Sequence, residues 1–147
     1  MKGKKIILVE DEVDLLRSVT LTLKRAGYEV VSVDNGADAL ALIMLAENES
    51  KAFDLLVTDL HLPGLTGLEL VEKIRKLHIP IPVAAITAFG NSQIRSRLKE
   101  LDCLFCLDKP FNIEELLNHV SSAIKGAQPT AAPPDRLSLK TRETGKQ

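Results

Sequence analysis

Short apolar runs alternate along the chain with segments in which apolar residues recur every three or four positions. Lys5–Val9 is a continuous apolar strand candidate, and Asp14 to Ala26 follows with Leu16, Val19 and Leu23 on one helical face. Gly27 stands where that helix must stop, because glycine enters the left-handed conformation without a steric penalty. Tyr28–Val33 predicts a second strand, Asp34-Asn35-Gly36 a turn, and Ala37–Glu47 a helix rich in Ala and Leu. Phe53–Thr58 predicts a third strand, after which Leu70, Val71, Ile74 and Leu77 form a helical stripe ended by His78-Ile79-Pro80. Pro82–Thr87 predicts a fourth strand, its proline at the start where no ladder donor is missed. Ile94, Leu98 and Leu101 mark a fourth helix and Leu104–Asp108 a fifth strand. Ile113, Leu116, Leu117, Val120 and Ile124 make the clearest helical stripe, and Asn112 with Glu115 three residues on fits a cap pattern.

Successive strand–helix units of this kind imply an α/β fold, a doubly wound parallel sheet with helices on both faces. Near-continuous apolar strands agree with burial on both sides. Residues 4–125 carry this pattern. Beyond Lys125 the composition changes: Pro129, Pro133 and Pro134 stand among small and charged residues, with only Leu137 and Leu139 as apolar anchors. Such a stretch buries too little surface to offset its ordering entropy, so residues 126–147 are expected to be a flexible tail or linker.

The bulk composition removes several functions. The 147-residue chain is 45% hydrophobic and 27% charged, ordinary for a soluble globular domain. A net charge of -1 gives no field to recruit nucleic acid or an anionic membrane, and 3% aromatic content offers no base-stacking surface. The basic N-terminus is followed by only Ile6 to Val9 before Glu10, too short for a signal peptide, so the cytoplasm is the expected location. Cys103 and Cys106 form a lone C-x-x-C inside a strand-like run. A redox pair needs a helix N-terminus and a zinc site needs two more ligands, so both are read as core residues.

The candidate chemistry lies at the strand ends. Glu10-Asp11 follows the first strand, Asp59 the third, Thr87 the fourth and Lys109 the fifth. In open parallel α/β sheets, ligands bind beyond the carboxyl ends of the strands, at the switch point of the topology. With strand order 2-1-3-4-5 the first and third strands are neighbours and their acids converge. Three converging carboxylates repel one another, a strain that a divalent cation relieves, and an oxygen-only set in a shallow site suits Mg²⁺. A lysine, a hydroxyl and a cation around one carboxylate meet the needs of an incoming phosphoryl group, whose equatorial oxygens must be neutralised.

At this point the chain resembles the response-regulator receiver domains of two-component signalling, which are CheY-like. The matching residues are Glu10-Asp11 after Ile6-Ile7-Leu8-Val9, Asp59 before Leu60-His61-Leu62-Pro63-Gly64, Thr87-Ala88, and Lys109-Pro110-Phe111. The match spans roughly Lys4 to Lys125. The resemblance implies a flavodoxin-like, doubly wound five-stranded sheet of order 2-1-3-4-5 with five helices. It implies that Asp59 takes a phosphoryl group from a sensor histidine kinase or a histidine phosphotransfer protein. Glu10, Asp11, Asp59 and the backbone carbonyl of His61 would hold Mg²⁺. Thr87 and Lys109 would bond phosphoryl oxygens beside the small Ala88, and Lys109-Pro110 would be cis. The activity expected is limited to the domain's own phosphotransfer and dephosphorylation, and the output to a switched protein-interaction face. That face is formed by the fourth helix, fifth strand and fifth helix, which also offer a homodimer surface. Direct binding to nucleic acid or membrane is not expected.

Some positions depart from the family pattern. Cys106 stands where an aromatic switch residue is common, and Phe105 should face the opposite side of the strand. His61 and Phe89 flank the phosphoryl approach and are expected to modulate hydrolysis of the acyl phosphate. Asp102 replaces a common turn glycine, and Asp tolerates the left-handed region. Two competing readings stay open. An aspartate-nucleophile phosphatase would need an acid two residues after the nucleophile, where this chain has His61; a degenerate receiver would act as a constitutive binding module.

Overall fold

A computed structural model describes residues 3–125. The elements run β1 (Lys5–Val9), α1 (Val13–Arg25), β2 (Glu29–Val33), α2 (Gly36–Asn48), β3 (Leu55–Asp59), α3 (Gly67–Lys76), β4 (Val83–Thr87), α4 (Ser92–Glu100), β5 (Cys103–Asp108) and α5 (Ile113–Lys125). The strands form one parallel sheet of order β2-β1-β3-β4-β5. The expected flavodoxin-like topology is therefore present.

Alternation along each strand divides the core. Ile7, Val9, Leu56 and Ala85 face one layer with Ile43, Leu70, Ile74 and Leu98 from α2, α3 and α4. Ile6, Leu8, Leu55, Val57 and Ile86 face the other with Val19, Leu23, Leu116 and Val120 from α1 and α5. Successive side chains leave a strand on opposite faces, so only strands buried on both sides read as unbroken apolar runs. β1, β3 and β4 fit that rule. β2, one of the two edge strands, does not: Glu29 and Ser32 are exposed and its valines half-buried.

Boundaries differ from the sequence reading by one or two residues. Phe53 stays buried but precedes β3, which begins at Leu55. Pro82 precedes β4, yet its carbonyl still accepts the Leu56 N–H at 2.9 Å. Gly27 takes φ 102° immediately after α1, and Asp102 takes φ 60° before β5, as their residue types allow.

Helices α2, α3, α4 and α5 start on side-chain caps. Thr66 and Glu69 form a capping box at the head of α3, with bonds of 3.1 and 3.0 Å. Asn35 Oδ1 accepts the Asp38 N–H at 2.8 Å, and Asn91 Oδ1 accepts the Ile94 N–H at 2.9 Å. At α5, Asn112 Oδ1 accepts from Glu114 rather than from Glu115, at 2.7 Å.

A shift of register between Val83/Ala84 and the facing residues of β5 puts Phe105, not Leu104, opposite Ala84. One extra residue in a strand reverses the facing of the residues after it. Cys103 and Cys106, of opposite parity, therefore both enter the layer shared with α3 and α4, while Phe105 enters the other and stacks on His119.

Candidate functional site

The site is built where β1 and β3, hydrogen-bonded neighbours, end together. Val9 pairs with Thr58, so the residues after this pair, Glu10-Asp11 and Asp59, emerge side by side. One carboxylate oxygen from each of Glu10, Asp11 and Asp59 lies within 4.8 Å of the others. Asp11 is exposed, whereas Glu10 and Asp59 are only 2% and 3% accessible.

Asp59 is held at both oxygens. Oδ1 accepts the His61 N–H at 2.9 Å and Oδ2 accepts from Lys109 Nζ at 2.8 Å. Beneath it, Gly67 opens α3 so close to the β3 end that a Cβ there would lie 2.0 Å from the Asp59 carbonyl oxygen. Glycine is thus required for the helix to approach the strand end that carries the acid.

Glu10 is strained by burial. Its Oε2 accepts the Glu12 N–H at 3.0 Å and lies 3.4 Å from Lys109 Nζ. Its Oε1 lies 3.1 Å from the same ammonium but accepts no hydrogen bond. Burial, with the Asp59 charge adding to it, raises the Glu10 carboxyl above its ordinary value against the Glu12 N–H and Lys109. A buried, under-satisfied carboxylate oxygen beside two further acids, with oxygen donors only, fits a hard divalent cation.

Lys109 follows β5, and its backbone N–H bonds to the Thr87 carbonyl at 2.8 Å, which ties it to β4. The Lys109–Pro110 bond is cis. The ammonium reaches Glu10, Asp59 and a residue that the sequence did not single out, Glu12, whose Oε1 is 2.8 Å away. Burial alone would lower the lysine's pKa, but hydrogen bonds to Asp59, Glu12 and Glu10 outweigh it and raise it.

Thr87 is fully buried at the end of β4, and its hydroxyl accepts the Phe89 N–H at 3.1 Å. The same hydroxyl lies 2.8 Å from His61 Nε2, and the His61 ring meets the exposed Phe89 edge-on, with centroids 5.6 Å apart. This side-chain contact of His61 was not legible in the sequence. Ala88, Lys109 and Pro110 line a groove of about 690 Å³ against Glu12, Leu15 and Phe111.

Cys106 lies 5% exposed in the α3–α4 layer, and burial pushes its thiol up to about 11 and that of Cys103 to about 12. Such thiols are inert packing groups, as read from the sequence. At the end of the same strand Asp108 receives Arg95 of α4 on both oxygens, at 2.8 and 2.7 Å.

A parallel α/β sheet that collects acids, a hydroxyl and a lysine at its carboxyl edge defines a receiver-type domain. A family model described as the response regulator receiver domain matches residues 6–121, and the chain belongs to that family. It is 32% identical to the "Transcriptional regulatory protein CpxR homolog" of Haemophilus influenzae, over 91% of this chain and 55% of that protein. It is 29% identical to the "Response regulator receiver protein CpdR" of Brucella abortus, over 84% of this chain and 99% of that one. Among solved structures, a CheY-like receiver domain protein of Methanospirillum hungatei matches with TM-score 0.75 and 27% identity, covering 84% of this chain and 95% of the other. The chain thus spans about half the length of the first relative and almost all of the second.

Among the described residues, no helix is long and apolar enough to cross a membrane. Residues 126–147, expected as a tail or linker, lie outside the described residues.

Proposed function

We propose that this domain accepts a phosphoryl group on Asp59 from a phosphohistidine of a sensor histidine kinase or histidine phosphotransfer protein. The observation that carries the reading is the pair of contacts on Asp59: one oxygen on a backbone N–H, the other on Lys109, with Glu10 and Asp11 alongside. An Asp59 oxygen attacks phosphorus, the N–P bond breaks, and the donor imidazole, carrying a proton on its other ring nitrogen, leaves with the electron pair as a neutral ring. Lys109 neutralises a phosphoryl oxygen and Thr87 donates its hydroxyl to another, beside the small Ala88. Glu10, Asp11, Asp59 and the His61 carbonyl are the residues that would hold Mg²⁺. That ion, when bound, offsets the charge of the carboxylates and of the transferring group.

His61 and Phe89 stand beside this path and set access of water to the acyl phosphate. The modified state is read out by a protein-interaction face on α4, β5 and α5, which also offers a homodimer surface. The domain unit is residues 4–125 and it turns over no external substrate; the phosphatase reading lacks the second acid, since His61 occupies that position. A cytoplasmic location suits a kinase-fed domain of this kind.

Incubation with acetyl phosphate and MgCl₂, followed by intact-mass measurement, tests the reading. Wild type should gain one phosphoryl mass and Asp59→Asn should not. Equal modification of the Asp59→Asn protein, or none of wild type with either acetyl phosphate or a phosphohistidine donor, overturns it.

A further inference from the structure

An ammonium group has three N–H donors, and those of Lys109 go to three carboxylates: Asp59 and Glu12 at 2.8 Å each, and Glu10 Oε2 at 3.4 Å. A phosphoryl oxygen on Asp59 can gain a bond from this lysine only if one of those partners gives it up. The three are not equivalent. Leaving the Glu10 side chain, 2% exposed, unpaired would strand a buried charge. Asp59, 4% exposed, instead loses its own charge to the phosphoryl group and frees one N–H, so any further lysine bond to that group must come from Glu10 or Glu12. The Glu12 side chain is 62% exposed, so water can take over its carboxylate at little cost.

Glu12 also sits where a different residue type is usual. It is the N-cap of α1, with extended backbone (φ -78°, ψ 112°), a position that favours a short side chain bonding back to the helix. The Glu12 side chain makes no such cap. It reaches instead to Lys109, while its backbone N–H secures Glu10 Oε2 at 3.0 Å. One residue thus steadies the acid cluster through its main chain and the lysine through its side chain.

Resting on the phosphoacceptor reading above, we propose that Glu12 is the exchangeable partner of Lys109: it holds the ammonium over Asp59 in the resting domain and releases it to the phosphoryl group. Glu12 is a positioning residue that acts through the lysine. The exchange also changes the groove wall formed by Glu12, Leu15, Ala88, Lys109 and Phe111. A paired glutamate becomes a free carboxylate beside the new phosphoryl charge, which disfavours a second phosphate-bearing group in the groove.

The experiment uses the full chain with Mg²⁺ and beryllofluoride as the phosphoryl mimic. The Glu12 side-chain ¹³Cδ signal, assigned by its loss in Glu12→Gln, should move on mimic binding toward the position of exposed glutamates such as Glu29 and Glu114. Glu12→Gln should bind beryllofluoride on the order of two- to fivefold more tightly, the span of one exposed ion pair. Asp14→Asn, which removes a neighbouring charge on the same groove but none of the Lys109 bonds, should change that affinity by less. A stationary Glu12 signal in protein that binds the mimic overturns the exchange and leaves the phosphoacceptor reading intact. Equal tightening by Glu12→Gln and Asp14→Asn also overturns it, by reducing the effect to general charge. Wild type that neither binds the mimic nor gains phosphoryl mass removes both.

Discussion

The imidazole Nε2 of His61 lies 2.8 Å from the hydroxyl of Thr87, joining the loop after β3 to the end of β4. The hydroxyl already accepts the Phe89 N–H at 3.1 Å, so its own proton is the remaining means of bonding a phosphoryl oxygen. If that proton is on the His61 nitrogen at rest, modification of Asp59 must draw it away. The ring pair of His61 and the exposed Phe89 then feels the change directly, in a chain whose β5 carries Cys106 in place of an aromatic residue.

His61→Phe tests this arrangement, since it keeps a ring against Phe89 and removes Nε2. A hydrogen bond of this kind contributes about 0.5–1.5 kcal/mol, so its loss should tighten beryllofluoride binding roughly two- to tenfold, measured by titration in MgCl₂. Weaker binding in the variant would mean that His61 is the donor and that it fixes Thr87 in the receptive position.

The acid cluster predicts a metal-linked rise in stability. Mg²⁺ at ten times its Kd should add roughly 1.4 kcal/mol to wild type, seen as a higher urea midpoint. Asp11→Asn should lose most of this gain. An equal gain in the variant would place the cation elsewhere.

In the metal-free protein Glu10 holds its proton more tightly when folded than its ordinary value of 4.5 implies. The folded state therefore binds more protons than the unfolded chain in the window above 4.5. Stability contributed by this group is complete below 4.5 and falls as pH rises through the raised folded value. Glu10→Gln removes that fall, and in EDTA it should melt at a higher temperature than wild type at neutral pH but not at pH 4. A lower melting temperature at both values would contradict the assignment of strain to Glu10.

Gly67→Ala should destabilise the domain by about 1–3 kcal/mol in urea unfolding, because the added methyl meets the Asp59 carbonyl oxygen and Leu60 Cα at 2.0 and 2.7 Å. The same overlap shifts the strand end that carries Asp59, so acetyl phosphate labelling should slow as well. A variant with unchanged stability and labelling would show that α3 can retreat freely.

The cysteines should be silent. With Cys106 pushed up to about 11, on the order of one thiol in a thousand is ionised at pH 8, and both side chains are buried. Ellman's reagent should label neither until guanidinium unfolds the chain. Rapid labelling of the native protein would show an opening of β5 against α4.

The order of elements, the two-sided burial of β1, β3 and β4, and the acids at the ends of β1 and β3 could all be read from the chain, because apolar periodicity and strand-end position are local properties. What the linear pattern could not decide was how side chains from different strand ends meet. Glu12 reads as a solvated glutamate before a helix, and only the parallel run of β1 and β5 in one sheet brings Lys109 to it across 97 residues. His61 reads as an exposed turn residue, and only the adjacency of β3 and β4 brings its ring to Thr87. The half-exposed valines of β2 likewise depend on tertiary packing, since β5, at the opposite edge of the sheet, is mostly buried. Local spacing thus determined which groups this domain carries, and long-range pairing of strands decided which of them touch.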